Sequence, residues 1–435
     1  MTGPLWETLP DGWQTGQVKH AATVTLGKML QSKDSGGDIR APYMRAANVQ
    51  PDGALALDDV NEMWFREAEL EQLSVRAGDV VVVEGGQGGF GRAAYVDEEL
   101  SGWGFQNSIN RLRPIGGFDG RFIAFYLIAL RASGFVRAYS NVVSMPHLTA
   151  EKLARIPIPL PPPEVQRNIA DYLDRETGRI DTLIEEQQRL IEMLRERRKA
   201  VIAETTTEGL GLKKGLLKPC AGPLWERLPA GWRAGQAKHA ATVTLGKMLQ
   251  SKDSGGGVRA PYMRAANVQP DGALTLDDVN EMWFDPTELV QLSIRAGDVV
   301  VVEGGQGGFG RAAYVDEDLP GWGFQNSINR IRPMDGFDGR FIAFYLLALR
   351  ASGFMRAYSN VVSMPHLTAD KLSKIPMPLP PLDEQRAIAD YLDEQTAKID
   401  TLIAETERFI ELARERRAAL ITAAVTGQID VREAA

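Results

Sequence analysis

Residues 156–183 read IPIPLPPPEVQRNIADYLDRETGRIDTL, and residues 375–402 repeat the pattern as IPMPLPPLDEQRAIADYLDEQTAKIDTL. Clustered prolines cannot lie inside a helix, so the start of each stretch predicts an extended connector. From Glu164 onward Glu, Arg, Gln, Ile and Leu dominate, and apolar residues recur at helical spacing. A helix of about 40 residues would span roughly 60 Å. Each connector therefore separates an irregular globular domain from a long helix.

The apolar positions of the two helices predict how they pack. In the first helix they are Ile169, Leu173, Ile180, Leu183, Leu190, Leu194 and Val201, and in the second Ile388, Leu392, Ile399, Leu402, Phe409 and Leu420. Heptad spacing requires a neighbouring helix, which the other copy supplies. We expect an antiparallel intramolecular pair, because a pseudo-two-fold axis between copies reverses the second helix. The alternative is a coiled coil between two chains of a homodimer.

The whole chain is a tandem duplication with an offset of 219 residues. Between residues 3–160 and 222–379, 134 of 158 positions are identical without any insertion or deletion. Solenoid repeats have periods of about 20–50 residues, so this period indicates a duplicated domain. We expect each copy to fold alone.

Each globular domain is predicted to mix helices and strands. Val80–Val83 is the clearest strand, and the glycine loop Gly85–Gly91 follows it. Apolar spacing predicts a helix over residues 122–132, and Thr149 is the predicted N-cap of a helical turn ending at Ala154. The fold class is therefore α+β.

Composition excludes several classes of protein. The single Cys220 rules out an intrachain disulfide and a cysteine zinc cluster. The first ten residues lack a signal-peptide pattern, and no apolar run reaches about 18 residues, so we expect a cytoplasmic protein without a membrane partner. The net charge of −8 argues weakly against nucleic acid, although local charge can override the total.

Few residues indicate catalysis. The four histidines, His20, His147, His239 and His366, are two duplicated positions outside any metal-ligand spacing, so we predict no metal site. A structural role is favoured for His147 over that of a general base. The glycine loop lacks the Gly-Lys-Ser/Thr ending of a phosphate-binding loop. It remains open as a nucleotide site, as a simple connection between strands, or as a backbone that approaches a DNA groove.

Cations, amides and aromatic residues between the apolar stretches are the types that contact DNA. Arginine and amide side chains read base edges, and lysine binds phosphates. The alternative is that these residues cap turns or cover a solvated face. The predicted contacts are Lys28, Lys33, Arg40, Tyr43, Arg45, Gln87, Arg92, Asn107, Asn110 and Arg111, with their repeats Lys247, Lys252, Arg259, Tyr262, Arg264, Gln306, Arg311, Asn326, Asn329 and Arg330.

At the connectors and helices the chain resembles the specificity subunit of type I restriction-modification systems. The resemblance lies in Leu9-Pro10-Asp11-Gly12-Trp13, in the proline connectors, in Gln166 to Asp174, in Ile180 to Ile184, and in the ending Ala424 to Arg432. The first copy departs from the family pattern by having Val165 where the second has Glu384.

The resemblance implies two target-recognition domains joined by two long antiparallel coiled-coil helices. The implied segments are a first domain at 1–160, a helix at 161–208, a linker at 209–222, a second domain at 223–379, a helix at 380–427 and a tail at 428–435. The implied partners are double-stranded DNA, two methyltransferase subunits and, where the system cleaves, restriction subunits. The chain itself would need no cofactor: S-adenosylmethionine would bind the methyltransferase, and ATP and Mg²⁺ the restriction subunit.

Because every predicted contact is repeated, both domains should read the same short sequence, and we expect an interrupted palindrome as the DNA site. Two other classes of function stay open at this stage. An enzyme would rest on the glycine loop and His147. A coiled-coil scaffold would use its globular domains to bind protein or another ligand.

Overall fold

The structure is a computed structural model that describes residues 3–34, 36, 38–86, 89–140, 147–211, 217–253, 255–305, 307–359 and 366–431. The chain divides into two units. Unit 1 comprises Met1–Gln188 and Glu407–Ala435, and unit 2 comprises Arg189–Thr406. Each unit therefore combines one globular domain with parts of both long helices.

The globular domain of unit 1 is a mixed α+β fold. Its strands are β1 (Gln14–Gln17), β2 (Ala22–Leu26), β3 (Ile39–Met44), β4 (Asn61–Phe65), β5 (Val80–Val83), β6 (Ala93–Tyr95), β7 (Gly104–Phe105), β8 (Ile109–Pro114) and β9 (Pro157–Leu160). Its helices are α1 (Glu67–Gln72), α2 (Gly120–Ala132), α3 (Phe135–Tyr139) and α4 (Ala150–Ala154), and α5 (Pro163–Glu208) continues into unit 2. An antiparallel sheet has the order β2-β8-β5-β6, a second has the order β4-β3-β7, and β1 pairs with β9.

The predicted strand and helices are confirmed. All four valines of β5 are buried, because Phe122 and Tyr126 of α2 belong to the core on one face and Phe105 to the core on the other. Thr149 caps α4 by accepting a hydrogen bond from the backbone N–H of Lys152. The proline connector is extended, as predicted, and pairs as β9 with β1.

Unit 2 repeats this topology. Its strands are β10 (Leu217–Pro219), β11 (Arg227–Pro229), β12 (Arg233–Gln236), β13 (Ala241–Leu245), β14 (Val258–Met263), β15 (Asn280–Phe284), β16 (Val299–Val302), β17 (Ala312–Tyr314), β18 (Gly323–Phe324), β19 (Ile328–Pro333) and β20 (Pro376–Leu379). Its helices are α6 (Pro286–Gln291), α7 (Gly339–Ala351), α8 (Phe354–Tyr358), α9 (Ala369–Ser373) and the first part of α10 (Leu382–Val425). The sheets have the orders β13-β19-β16-β17, β15-β14-β18 and β12-β20, and β10 pairs with β11. Part of the predicted linker is thus a strand.

Within each unit, the two long helices run antiparallel, as predicted. In unit 1, Ile421 and Val425 near the end of α10 share a core with Ile169 and Leu173 near the start of α5. In unit 2, Ile202 near the end of α5 shares a core with Leu392 near the start of α10. The helix halves are therefore part of the two domain cores.

The predicted apolar seam is wrong at several central positions. Leu183 and Leu190 are 36% and 37% exposed, whereas the adjacent Ile184 and Ile191 are only 9% and 6% exposed. In α10, Leu402 and Phe409 are also exposed. Both neighbours are apolar, so spacing alone could not show which of them faces the core.

Two adjacent alanine variants test this register. Ile184→Ala should destabilise unit 1 by about 2 kcal/mol, because it removes buried methyl groups and leaves a cavity. Leu183→Ala should cost less than about 1 kcal/mol because its side chain is already in contact with water. Thermal denaturation followed by circular dichroism measures both, and equal losses would contradict the register.

Candidate nucleic-acid interface

The glycine loop connects two antiparallel strands of the same sheet, β5 and β6. Backbone hydrogen bonds close it, from Val83 N–H to the Arg92 oxygen at 2.8 Å and from Gly91 N–H to the Val83 oxygen at 3.0 Å. Gly86 and Gly91 have φ of 111° and 70°, in a region that favours glycine. A phosphate-binding loop instead leads from a strand into a helix N-terminus. The loop is therefore a hairpin connection and does not have the strand-to-helix geometry of a phosphate-binding loop.

His147 lies beside this hairpin. Its Nδ1 is 3.8 Å from Glu84 Oε1, and its backbone forms a bridge with Gly85. The next residue, Leu148, donates its N–H to the Glu84 oxygen at 2.7 Å. These contacts attach the segment around His147 to the end of β5, which favours the structural interpretation of the histidine.

Three predicted contact residues lie inside each domain, which corrects the sequence analysis. Asn110 is fully buried and donates from Nδ2 to the Leu148 oxygen at 2.8 Å. Arg111 is 5% exposed and donates to the carbonyl oxygens of Gln72 and Ser74. The third is a core tyrosine of β3. The corrected set is Tyr43, Asn110 and Arg111, with Tyr262, Asn329 and Arg330. The asparagines and arginines hold loops together, the tyrosines pack in the core, and none of these buried side chains can reach a groove.

Three further cations form ion pairs at or near the surface. Lys28 Nζ lies 2.5 Å from Glu69 Oε2, Arg40 Nε lies 3.0 Å from Glu62 Oε2, and Arg45 pairs with Asp59. The repeats pair in the same way: Lys247 with Glu288, Arg259 with Glu281, and Arg264 with Asp278. Only Arg40 and Arg259 keep more than half of the side chain exposed.

The remaining predicted residues occupy three environments. Lys33 and Lys252 are exposed in the β2–β3 and β13–β14 loops, and Asn107 and Asn326 are half-buried. Arg92 and Arg311 are half-buried and donate from Nη1 to the carbonyl oxygens of Val49 and Val268. Gln87 and Gln306 lie outside the described residues.

Sequence reasoning missed a cation beside the glycine hairpin. Arg131 of α2 donates from Nε to the Phe90 oxygen at 3.1 Å, and Arg350 repeats this contact with Phe309 at 3.3 Å. Burial, followed by the charge of Arg92, lowers the pKa of Arg131. Proximity between these two arginines could not be inferred from the sequence, because they are far apart along the chain.

Arginines also fasten each domain to the helices. In unit 1, Arg417 of α10 lies 2.9 Å from Asp181 of α5 and donates to the Asp52 oxygen at 3.1 Å. Arg121 of α2 lies 2.7 Å from Asp171 of α5. In unit 2, the equivalent pairs are Arg198 with Asp400 and Arg340 with Asp390. The globular domain is thus held in one orientation on its helix halves.

Comparison with known proteins agrees with this architecture. The family model for the type I restriction modification DNA specificity domain matches residues 10–193 and 246–411. This chain belongs to that family. Each matched segment contains most of a globular domain and the first part of a long helix.

Individual specificity subunits are similar to the chain over different lengths. The MjaVIII subunit of Methanocaldococcus jannaschii is 27% identical over 318 residues, which cover 71% of this chain and 70% of that subunit. The EcoKI subunit of Escherichia coli is 25% identical over 214 residues, which cover 47% and 44% respectively. Of solved structures, one from a study of complex assembly in a type I system has TM-score 0.74 at 18% identity, covering 97% of this chain and all of the other. The HsdS subunit of Thermoanaerobacter tengcongensis has TM-score 0.58 at 19% identity, covering 99% and 100%. These two share the fold.

In the part of the chain that the structure describes, every helix is too short or too polar to span a membrane. The same part of the chain contains no cluster of three or more His, Cys, Asp or Glu side chains that could hold a metal ion.

Proposed function

We propose that this chain is the DNA-recognition subunit of a type I restriction-modification complex and directs adenine methylation to a bipartite site. The observation that carries the proposal is a duplicated domain of the specificity family, fastened by arginines to two antiparallel helices. In this proposal the chain performs no catalysis. The methyltransferase subunits bind S-adenosylmethionine, and restriction subunits, where present, bind ATP and Mg²⁺.

Both half-sites should have the same sequence. The two domains share 134 of 158 residues and repeat the same surface ion pairs, so they offer the same groups to a groove. Since the helices run antiparallel within each unit, we propose that the domains read opposite strands. The recognised site is then an interrupted palindrome.

Apolar side chains on the outer faces of the helices support docking of two methyltransferase subunits. In unit 1 they are Leu183, Phe409 and Leu412, and in unit 2 the equivalent Leu402, Leu190 and Met193. Each is 36% or more exposed, although each lies on a helix of which another face is packed. A contiguous exposed apolar patch marks a protein interface, and we propose that these three side chains form one in each unit. One such set per unit fits one methyltransferase per unit.

Sequencing of methylated DNA tests the proposal directly. The chain is expressed with its cognate methyltransferase in a host without other adenine methylation, and N6-methyladenine is mapped. We expect one interrupted palindrome. An asymmetric bipartite motif would retain DNA recognition and refute identical half-sites. With both proteins confirmed as expressed, absence of any motif would refute DNA recognition and favour a scaffold.

A further inference from the structure

A large cleft in unit 2 collects positive charge. It has a volume of about 1130 Å³ and lies between the end of α5, helices α7 and α8, and the hairpin that joins β16 to β17. This hairpin, which contributes Gly305, Gly307 and Phe309, repeats the glycine loop of unit 1. We call it the basic cleft, after the cations that line it: Arg195, Arg198, Lys199, Arg350 and Arg356. The carboxylates among its lining residues are Asp271 and Asp400. Positive charge is therefore in excess here, in a chain whose net charge is −8.

The carboxylates neutralise only part of this charge. Arg198 Nε lies 3.0 Å from Asp400, and Arg198 Nη2 donates to the backbone oxygen of Asp271. Lys199 Nζ lies 2.5 Å from Glu196 Oε1, on the same helix. Arg350 bonds instead to a neutral acceptor, the Phe309 oxygen. Arg356 lies in the middle of α8, lines the cleft and is exposed. Arg350 and Arg356 thus line the cleft, and neither forms an ion pair with a carboxylate within the described residues.

A second arginine strengthens the potential at Arg350. Arg311 follows the glycine hairpin and donates from Nη1 to the Val268 oxygen, while its buried Nε has no hydrogen-bond partner within the described residues. Burial, followed by the charge of Arg311, lowers the pKa of Arg350. Two like charges held together in a partly buried position favour an anion nearby.

Unit 1 carries the same cations at the equivalent positions. Arg131 and Arg92 correspond to Arg350 and Arg311, with the same carbonyl contacts. Arg137, Arg414 and Arg417 correspond to Arg356, Arg195 and Arg198. The exception is Ala418, which stands where unit 2 has Lys199. The arrangement is therefore a repeated feature of the domain with one built-in difference.

We propose that each unit binds backbone phosphates of duplex DNA in this basic cleft, between its glycine hairpin and the cationic end of a long helix. The inference rests on the proposed function and adds a site that reads no bases. The cleft is open and several cations are spread along it, which suits successive phosphates better than one small anion. Gly305 and Gly307 line the cleft with positive φ and have no side chain that would block DNA at these two positions.

Salt dependence of DNA binding tests the proposal in the complex with methyltransferase subunits. Each lost phosphate contact should reduce the slope of log K against log salt by about 0.9 and weaken binding roughly 5- to 10-fold near 0.1 M salt. We expect this for Arg356→Gln and for Arg137→Gln, on duplexes with and without the methylation motif alike. The motif itself should not change, because phosphate contacts carry no sequence information.

Unit 2 has Lys199 where unit 1 has Ala418, so the charge can be removed from one unit and added to the other. Lys199→Ala should lower the slope, and Ala418→Lys should raise it by a similar amount. Lys398→Gln, an exposed α10 cation paired with Glu394 outside the cleft lining, should leave it unchanged. Arg356 and Arg137 are exposed, so their variants should fold normally. Arg350→Gln also removes the hydrogen bond to the Phe309 oxygen, so its effect on folding has to be measured as well.

Three outcomes would overturn the phosphate site while the wild-type complex still selects its motif. They are an unchanged slope in the Arg356 and Arg137 variants, a loss confined to the specific duplex, or binding of ATP or inorganic phosphate that these variants abolish and DNA does not displace. If the wild-type complex prefers no DNA sequence, the proposed function itself fails. The two failures are therefore distinguishable.

Discussion

Arg111→Met should destabilise unit 1 by about 5 kcal/mol, near the lower end of the sum expected for three hydrogen bonds from a buried charged group at about 1.5–3 kcal/mol each. Arg111 donates to the Gln72 oxygen at 3.0 Å, to the Ser74 oxygen at 2.6 Å and to Thr25 Oγ1 at 3.2 Å. Burial, followed by the nearby charge of Arg113, lowers its pKa to about 10, so the guanidinium remains charged at neutral pH. Thermal denaturation measures the loss.

Arg40→Met is the matched control. Arg40 lies on β3 with 61% of its side chain exposed, and its single ion pair with Glu62 should contribute less than about 1 kcal/mol. The Arg111 variant should methylate the same motif as the wild type when the motif is mapped at a temperature where the variant is folded. A stable Arg111 variant with an altered motif would show instead that this residue reads bases.

The sequence was sufficient for the main features of the fold. Proline clusters exclude helix, so the connectors at residues 156–163 and 375–381 could be located, and the composition beyond them indicated long helices. Helix register was less certain. At Leu183-Ile184 and Leu190-Ile191 both neighbours are apolar, so the spacing does not show that the isoleucines are the buried ones.

The DNA interface was less predictable because burial of a polar side chain depends on distant residues. The buried Asn110 donates to the oxygen of Leu148, 38 positions later in the chain. The buried Arg111 donates to carbonyl oxygens 37 and 39 positions earlier. Nothing in the local sequence distinguishes these buried residues from polar residues on the surface. Arg131 on α2 was missed for the same reason, since its neighbour Arg92 lies at the end of the glycine loop, far from it in sequence.

The two units differ in sequence at the start of their long helices. Glu384 accepts a hydrogen bond from Trp232 Nε1 at 2.7 Å in unit 2, whereas unit 1 has Val165, which packs against its apolar core. In both units a fully buried glutamine, Gln166 or Gln385, accepts from the backbone N–H that precedes α2 or α7. The contact between domain and helix is thus retained even where neighbouring residues differ.

Replacing the exposed apolar set of unit 1 with serine, at Leu183, Phe409 and Leu412, should weaken binding of one methyltransferase subunit at least 100-fold. Three anchors that each contribute about 1–2 kcal/mol account for a loss of this size. Phe409 and Leu412 are three residues apart on α10, so they share one face of the helix. Since these side chains are 36–47% exposed, each substitution should cost the free chain less than about 1 kcal/mol, and circular dichroism should show that the chain still folds.

Native mass spectrometry distinguishes one bound subunit from two. The unit 1 variant should retain one methyltransferase, and a variant that also has serine at Leu190, Met193 and Leu402 should retain none. Met29→Ser with Leu30→Ser is the matched control, because these loop residues are 76% and 56% exposed but lie outside the helices. Full assembly of the six-serine variant, or loss of assembly in the loop control, would contradict docking on the helices. Stepwise loss of one subunit per unit would instead explain why the chain repeats its helix surface together with its domain: each copy then carries both a reader and the means of placing a methyltransferase beside it.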